Sequence, residues 1–156
     1  MAVPQFVVDI RAKVGQGPLP LPSVTAVVLD DDGRVLLVRR ADNGAWALVT
    51  GVLEPGEQPA AGAVREIEEE TGVTATAERI LSVCALPLMR CANGDQVHWL
   101  DVALRCRALR GEARVNDDES IDVGWFGRES MPALPERHLQ CIADAHSDRA
   151  RARFAW

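Results

Sequence analysis

Residues 51–73 read GVLEPGEQPAAGAVREIEEETGV, and the second half of this stretch predicts a helix over residues 59–71. Proline suits a first helical position, where its missing N–H would have no intrahelical partner, and Gly72 stands where a glycine closes a last turn. Helical pitch places Glu66, Glu69 and Glu70 within an arc of roughly 100°. The opposite arc collects Ala60, Val64, Ile67 and Thr71, so that face is expected on a sheet, with the carboxylates turned outward into a cleft. The internal Gly62 costs about 1 kcal/mol relative to alanine, which packing has to offset.

Carboxylates at this spacing repel by a few tenths of a kcal/mol per pair, roughly, and no lysine lies near enough in sequence to relieve them. A solvated acidic face is one reading of such a run. The other is a divalent cation held by hard oxygen ligands. With no histidine or cysteine in the cluster, that ion would be Mg²⁺ or Mn²⁺ rather than zinc, and magnesium commonly shares phosphate oxygens of a substrate.

The charge balance sharpens the choice. Residues 51–73 hold six glutamates (54, 57, 66, 68, 69 and 70) against Arg65 alone, a balance of −5, whereas the whole chain carries −6. The remainder is therefore almost neutral. A protein acidic overall is a poor nonspecific binder of nucleic acid, so no stable nucleic-acid partner is expected.

Outward from the helix, SVTAVVLDDDGRVLLVRR (residues 23–40) has two β-branched apolar runs around Asp31, Asp32 and Gly33, the composition of a hairpin. A loop at residues 42–44 and an extended piece at 45–50 follow. Before the hairpin, residues 15–22 hold two glycines and three prolines, which predicts a connector behind an N-terminal strand at 6–10. Beyond the helix, strands are expected at 80–89 and 97–106 around a turn at 91–95, then at 121–126, with a second helix over 135–148. The arginine-rich end should extend or fray from that helix. Strands, helix, strands, helix argue for an α+β domain, a mixed β-sheet between helices.

At 156 residues, 47% of them hydrophobic, the chain is one domain with a real core. The expected division is residues 1–22 as strand and connector, 23–148 as the main domain and 149–156 as a tail. No apolar run approaches the roughly 18 residues of a membrane span and the start lacks a signal-like pattern, so a cytoplasmic protein without a membrane partner is expected. Cys84, Cys91, Cys106 and Cys141 are scattered without metal-ligand spacing and are expected as buried thiols.

The quoted stretch resembles the Nudix box at all nine specified positions: Gly51, Glu57, Arg65, Glu66, Ile67, Glu69, Glu70, Gly72 and Val73. The preceding hairpin with Trp46 and the segment VGWFGRESMPAL (residues 123–134) are similar to the same family's opening and closing elements. The resemblance implies the Nudix α/β/α sandwich. It also implies a Mg²⁺- or Mn²⁺-dependent hydrolase of a pyrophosphate bond in a nucleoside diphosphate joined to another group, such as ADP-ribose, a dinucleotide or a nucleoside triphosphate. The segment MRCANGDQVHWLDVALRC (residues 89–106) is similar to the ADP-ribose pyrophosphatase branch. The alternative within the family is a noncatalytic module that senses a nucleotide. Isomerisation of an isoprenoid diphosphate is disfavoured, because no cysteine sits in a reactive motif.

By the same resemblance Glu66, Glu69 and Glu70 are metal ligands, with the Thr50 backbone carbonyl as a fourth. Val49 and Thr50 replace the Pro-Gly that many members carry there, and a carbonyl survives that change. Glu57 and Arg65 are expected to form a supporting fork. The general base is Glu69 from the box or Glu119 from the later loop. Arg39 and Arg40 are candidates for substrate phosphates, and Trp46 and His98 for stacking on a base or ribose, although core packing competes for Trp46. The apolar N-terminal segment is compatible with a homodimer.

Overall fold

The computed structural model describes residues 3–91, 93–148 and 150–154. Its centre is β1 (Leu19–Leu29), which pairs in parallel with β7 (Gln96–Arg110) along its whole length, from Leu19 opposite Val97 to Leu29 opposite Arg107. On its other side β1 pairs antiparallel with β4 (Val49–Val52) and, at Leu29 opposite Val35, with β2 (Val35–Arg40). The expected hairpin therefore exists, yet its strands part after one pair. β2 turns away to β3 (Trp46–Ala47) and to β8 (Ser120–Phe126). β5 (Thr74–Ala85) closes on β7 from the far side, and β6 (Met89–Arg90) pairs with β7 across the turn at Asn93 and Gly94. The result is an α+β fold with one mixed sheet.

A strand covered on both faces must be apolar at successive positions, and β1 is. Val24, Ala26 and Val28 face α2 (Pro59–Thr71) with Leu36, Val49, Ala63 and Ile67, while Val27 and Leu29 face α3 (Glu136–His146) with Leu37, Cys141 and Ile142. A smaller core of Val7, Leu21 and Val97 seats the first helix. Cys106 and Cys141 are buried as expected, whereas Cys84 and Cys91 are only half-buried.

Three expectations are corrected. Residues 6–10 lie in a helix, α1 (Gln5–Val14), not a strand. The β-branched content suggested a strand, but Val7, Ile10 and Val14 recur at helical spacing between Pro4 and Gly15. The connector ends early, because β1 already begins at Leu19 despite Pro20 and Pro22. The Pro22 carbonyl accepts the Leu53 N–H on the β4 side, so residues of that parity turn their main-chain groups away from β7. The N–H that each proline lacks would have faced that same side, at and beyond the end of β4 at Val52, and not β7. Lastly, the C-terminal segment leaves the helix at Ser147 and returns as β9 (Arg153–Phe154), parallel to Ser82 and Val83 of β5, with Arg153 Nε donating to Asp144 at 3.0 Å. Arg149, Ala155 and Trp156 of that tail lie outside the described residues. Among the described residues, no helix is long and apolar enough to cross a membrane.

Candidate functional site

α2 has the bounds expected of it, with Pro59 in its first turn and Gly72 in the left-handed conformation that returns its N–H to the Glu68 carbonyl. Its orientation differs from expectation. The buried residues are Gly62, Ala63, Ile67, Glu70 and Thr71, while Ala60 is exposed and Val64 half-buried. The helix is rolled toward its carboxylates, so Glu70 is only 6% exposed, whereas the side chain of Glu69 is 56% exposed. Two glycines permit this roll. A Cβ on Gly51 would stand 2.0 Å from the Glu66 carboxyl carbon, and one on Gly62 would stand 2.4 Å from Leu53. The packing that offsets the helical cost of Gly62 is thus the close seat of the loop carrying Leu53 and Glu57.

Arg65 organises the near side of the site. Its Nε and Nη2 donate to the two oxygens of Glu57 at 2.8 and 2.9 Å, and Nη1 donates to Glu66 and to Glu69, each at 2.9 Å. Glu57 also accepts the Glu54 backbone N–H, which ties the loop to the helix. The hydrogen bonds from Arg65 hold the Glu57 carboxyl below its ordinary range. Glu66 and Glu70 move the other way. Burial pushes Glu66 up to about 7, with Arg65 opposing and Glu69 and Glu119 adding. Burial pushes Glu70 up to about 8, helped by Glu66, Glu119 and Asp117. Removing a carboxylate from water disfavours its charge, and a neighbouring anion disfavours it further.

A cavity of about 370 Å³ opens beside Glu70, lined also by Arg40, Asp42, Leu48, Thr50, Asp118 and Glu119. The structure thus gathers Thr50, Glu70, Glu119 and Arg40 around one space, with Glu57, Arg65, Glu66 and Glu69 joined to them through α2. Arg40 is held by Asp42 in a two-bond fork at 2.9 and 2.6 Å, which raises it above its ordinary value. The other candidates lie elsewhere. Arg39 is exposed and donates to the Gly44 carbonyl. Trp46 packs edge-on to Phe126, ring centres 4.8 Å apart, against the core under α3. His98 is exposed on β7 opposite Pro20, outside the lining of this cavity.

The sequence reading missed three residues here. His138 of α3 accepts the Leu48 N–H at Nδ1, 3.3 Å, and burial with Arg137 and Arg40 nearby depresses it to about 4, so it is a neutral ring. Asn116 holds the carbonyls of Glu68 and Glu69, and Asp118 lines the cavity. No spacing in the sequence marks them, because Asn116 and Asp118 come from the loop that crosses the end of α2, and His138 reaches Leu48 from α3 on the other face of the sheet.

The donor set suits a hard divalent cation: two carboxylates with little access to water, an exposed third, and a cradle at Gly51 shaped to a glutamate carboxyl. As the side chains stand, no three of them converge at ligating distance among the described residues, and Arg65 holds an oxygen of both Glu66 and Glu69.

A mixed sheet between helices, with Glu70 of one helix lining a cavity, places the chain in the class of α/β/α domains. A family model described as the NUDIX domain matches residues 19–145, and the chain belongs to that family. A MutT-like protein of Streptomyces ambofaciens is 48% identical over 109 residues, covering 70% of this chain; the chain in turn spans 65% of that relative's length. An ADP-ribose pyrophosphatase of Methanocaldococcus jannaschii is 28% identical over 120 residues, 75% of this chain and 68% of its own. The crystal structure of an ADP-ribose pyrophosphatase from Streptococcus suis superposes with a TM-score of 0.67 at 26% identity, covering 88% of this chain and all of the other.

Proposed function

We propose that this chain is a Mg²⁺- or Mn²⁺-dependent pyrophosphohydrolase of nucleoside diphosphate derivatives, with ADP-ribose the favoured substrate. The observation that carries this reading is the junction of Glu66 and Glu70, both pushed up by burial, with a cavity that also presents Glu119 and Arg40. Glu66 shares the single Arg65 guanidinium with Glu57 and Glu69, and Glu70 has no ion pair among the described residues. Buried carboxylates short of positive charge are costly, and a cation with a diphosphate would supply that charge and a use for it. Two of the relatives above are named for ADP-ribose, which supports that choice of substrate.

When bound, the cation would be held by Glu66, Glu69, Glu70 and the Thr50 carbonyl, and would neutralise the diphosphate and acidify the attacking water. Arg40, released from Asp42, meets a phosphate oxygen. Glu119 accepts the proton of the water that attacks phosphorus, the P–O–P bond breaks, and two phosphate-bearing products leave. The cavity favours Glu119 over Glu69 as the base, since Glu69 lies outside its lining and is tied to Arg65.

The test is turnover of ADP-ribose, a dinucleotide and a nucleoside triphosphate with Mg²⁺, wild type beside Glu70→Gln. Loss of activity in the variant by about 100-fold or more is expected for removal of a metal ligand. Equal turnover in both would sink the mechanism. Nucleotide binding without turnover in wild type would favour the sensing alternative.

A further inference from the structure

We propose that Asn116 is a positioning residue, whose side-chain amide ties the loop bearing Glu119 to the end of α2 so that base and carboxylate helix keep one geometry. The proposal rests on the hydrolase reading above. The last carbonyls of a helix lack intrahelical partners, and here those of residues 69–71 are taken up by one strap, which also shares the Glu68 carbonyl with the Gly72 N–H. The Asn116 amide nitrogen donates to the carbonyls of Glu68 and Glu69 at 3.0 and 3.1 Å, and its backbone N–H reaches that of Glu70 at 3.3 Å. The Arg114 N–H donates to the Thr71 carbonyl at 3.0 Å.

The strap lies tightly on the helix end. A Cβ on Gly111 would be 2.6 Å from the Gly72 carbonyl oxygen, and Gly111 has φ 100°. Glu119 follows Asn116 by three residues, a reach of at most about 11 Å. Its far side is also pinned, because its carbonyl accepts the Ala41 N–H at 2.8 Å while its own N–H donates to Asp117 at 3.1 Å. Glu119 is thus suspended between α2 and the end of β2, over the cavity that Glu70 lines. Of these anchors, Asn116 is the side chain that reaches the carboxylate-bearing turn itself.

Asn116 is exposed, so its replacement leaves the released carbonyls to water and the chain folded. The experiment compares wild type, Asn116→Ala, the isosteric Asn116→Asp, Glu119→Gln and the Asn116→Ala/Glu119→Gln double variant. Assays use Mg²⁺ and the best substrate of the panel, and backbone hydrogen exchange is read on the metal-free chains. Both Asn116 variants are expected to lower kcat about tenfold, with KM within about twofold, as a misplaced group does. The double variant should be no slower than Glu119→Gln alone, and amides 117–120 should exchange faster in Asn116→Ala. Full-speed Asn116→Ala beside an impaired Glu119→Gln would overturn the proposal and leave the hydrolase reading intact. So would losses that multiply in the double variant, or unchanged exchange at 117–120. No turnover in wild type would sink the hydrolase reading itself.

Discussion

A single hydrogen atom at position 51 decides how near the helix can bring its glutamate. The atom that a Cβ on Gly51 would strike belongs to the flexible end of Glu66 rather than to backbone, so Gly51→Ala should fold and push Glu66 aside. Displacing a ligand's setting typically costs metal affinity tenfold or more, on the order of the losses seen when supporting contacts are removed. Calorimetric titration with Mn²⁺ reads this directly, and an affinity equal to wild type would refute it. The second residue-scale consequence concerns Glu70, held up to about 8 from 4.5. Below pH 4.5 it is protonated folded or unfolded. Between 4.5 and about 8 the folded chain keeps a proton that the unfolded chain releases, so metal-free stability falls as pH rises through that window. Glu66, held up to about 7, acts in the same direction. Metal-free Glu70→Gln should therefore melt higher than wild type at pH 8, by about 5 °C for a gain near 2 kcal/mol, and should lose that advantage at pH 4.5. A constant gap across the two pH values would show that the carboxyl titrates normally.

At the scale of elements, α3 is fastened to the sheet by an ion pair. Arg137 donates to Asp101, which is 2% exposed and also accepts the hydroxyls of Ser23 and Thr25 at 2.9 Å. Removing one partner of a buried pair leaves a charge without compensation, which costs about 3 kcal/mol or more. Arg137→Met should lower the urea midpoint accordingly, and adding Asp101→Asn should recover part of the loss because the stranded group is then neutral. An unchanged midpoint in the single variant would show that the pair contributes nothing. Neither residue stood out in the sequence. Elements with strong local signals were legible there: α2 between Pro59 and Gly72, the turn at Asn93 and Gly94, and β8 within a residue of its bounds. The first helix was missed because Phe6, Val7, Val8 and Ile10 look like a strand until the spacing of Val7, Ile10 and Val14 is counted. β9 was missed because two residues pairing with a distant strand carry no local pattern at all.

For the whole molecule, what remained illegible is what depends on how layers meet. The box motif named the carboxylates, but helical angles give positions relative to one another and not to the sheet, so the roll that buries Glu70 was invisible. Arg40 and Arg39 are neighbours in sequence with the same chemistry, yet strand alternation sends one to the cavity and leaves the other in solvent. On the proposed reading, folding and metal binding form one equilibrium. If the folded chain alone gathers Glu66, Glu69, Glu70 and Thr50, a cation stabilises it by mass action, about 2.7 kcal/mol at 100 times its dissociation constant. For a domain of this size that raises Tm by roughly 5–11 °C. Since protons compete for Glu66 and Glu70, held near 7 and 8, the rise should be full above pH 8 and small at pH 5.5. It should also reverse the decline of metal-free stability with pH argued above. Thermal melts with Mn²⁺ and with chelator at the two pH values check both trends in wild type and Glu70→Gln, and a Tm indifferent to Mn²⁺ at both would mean that folding alone does not build the metal site.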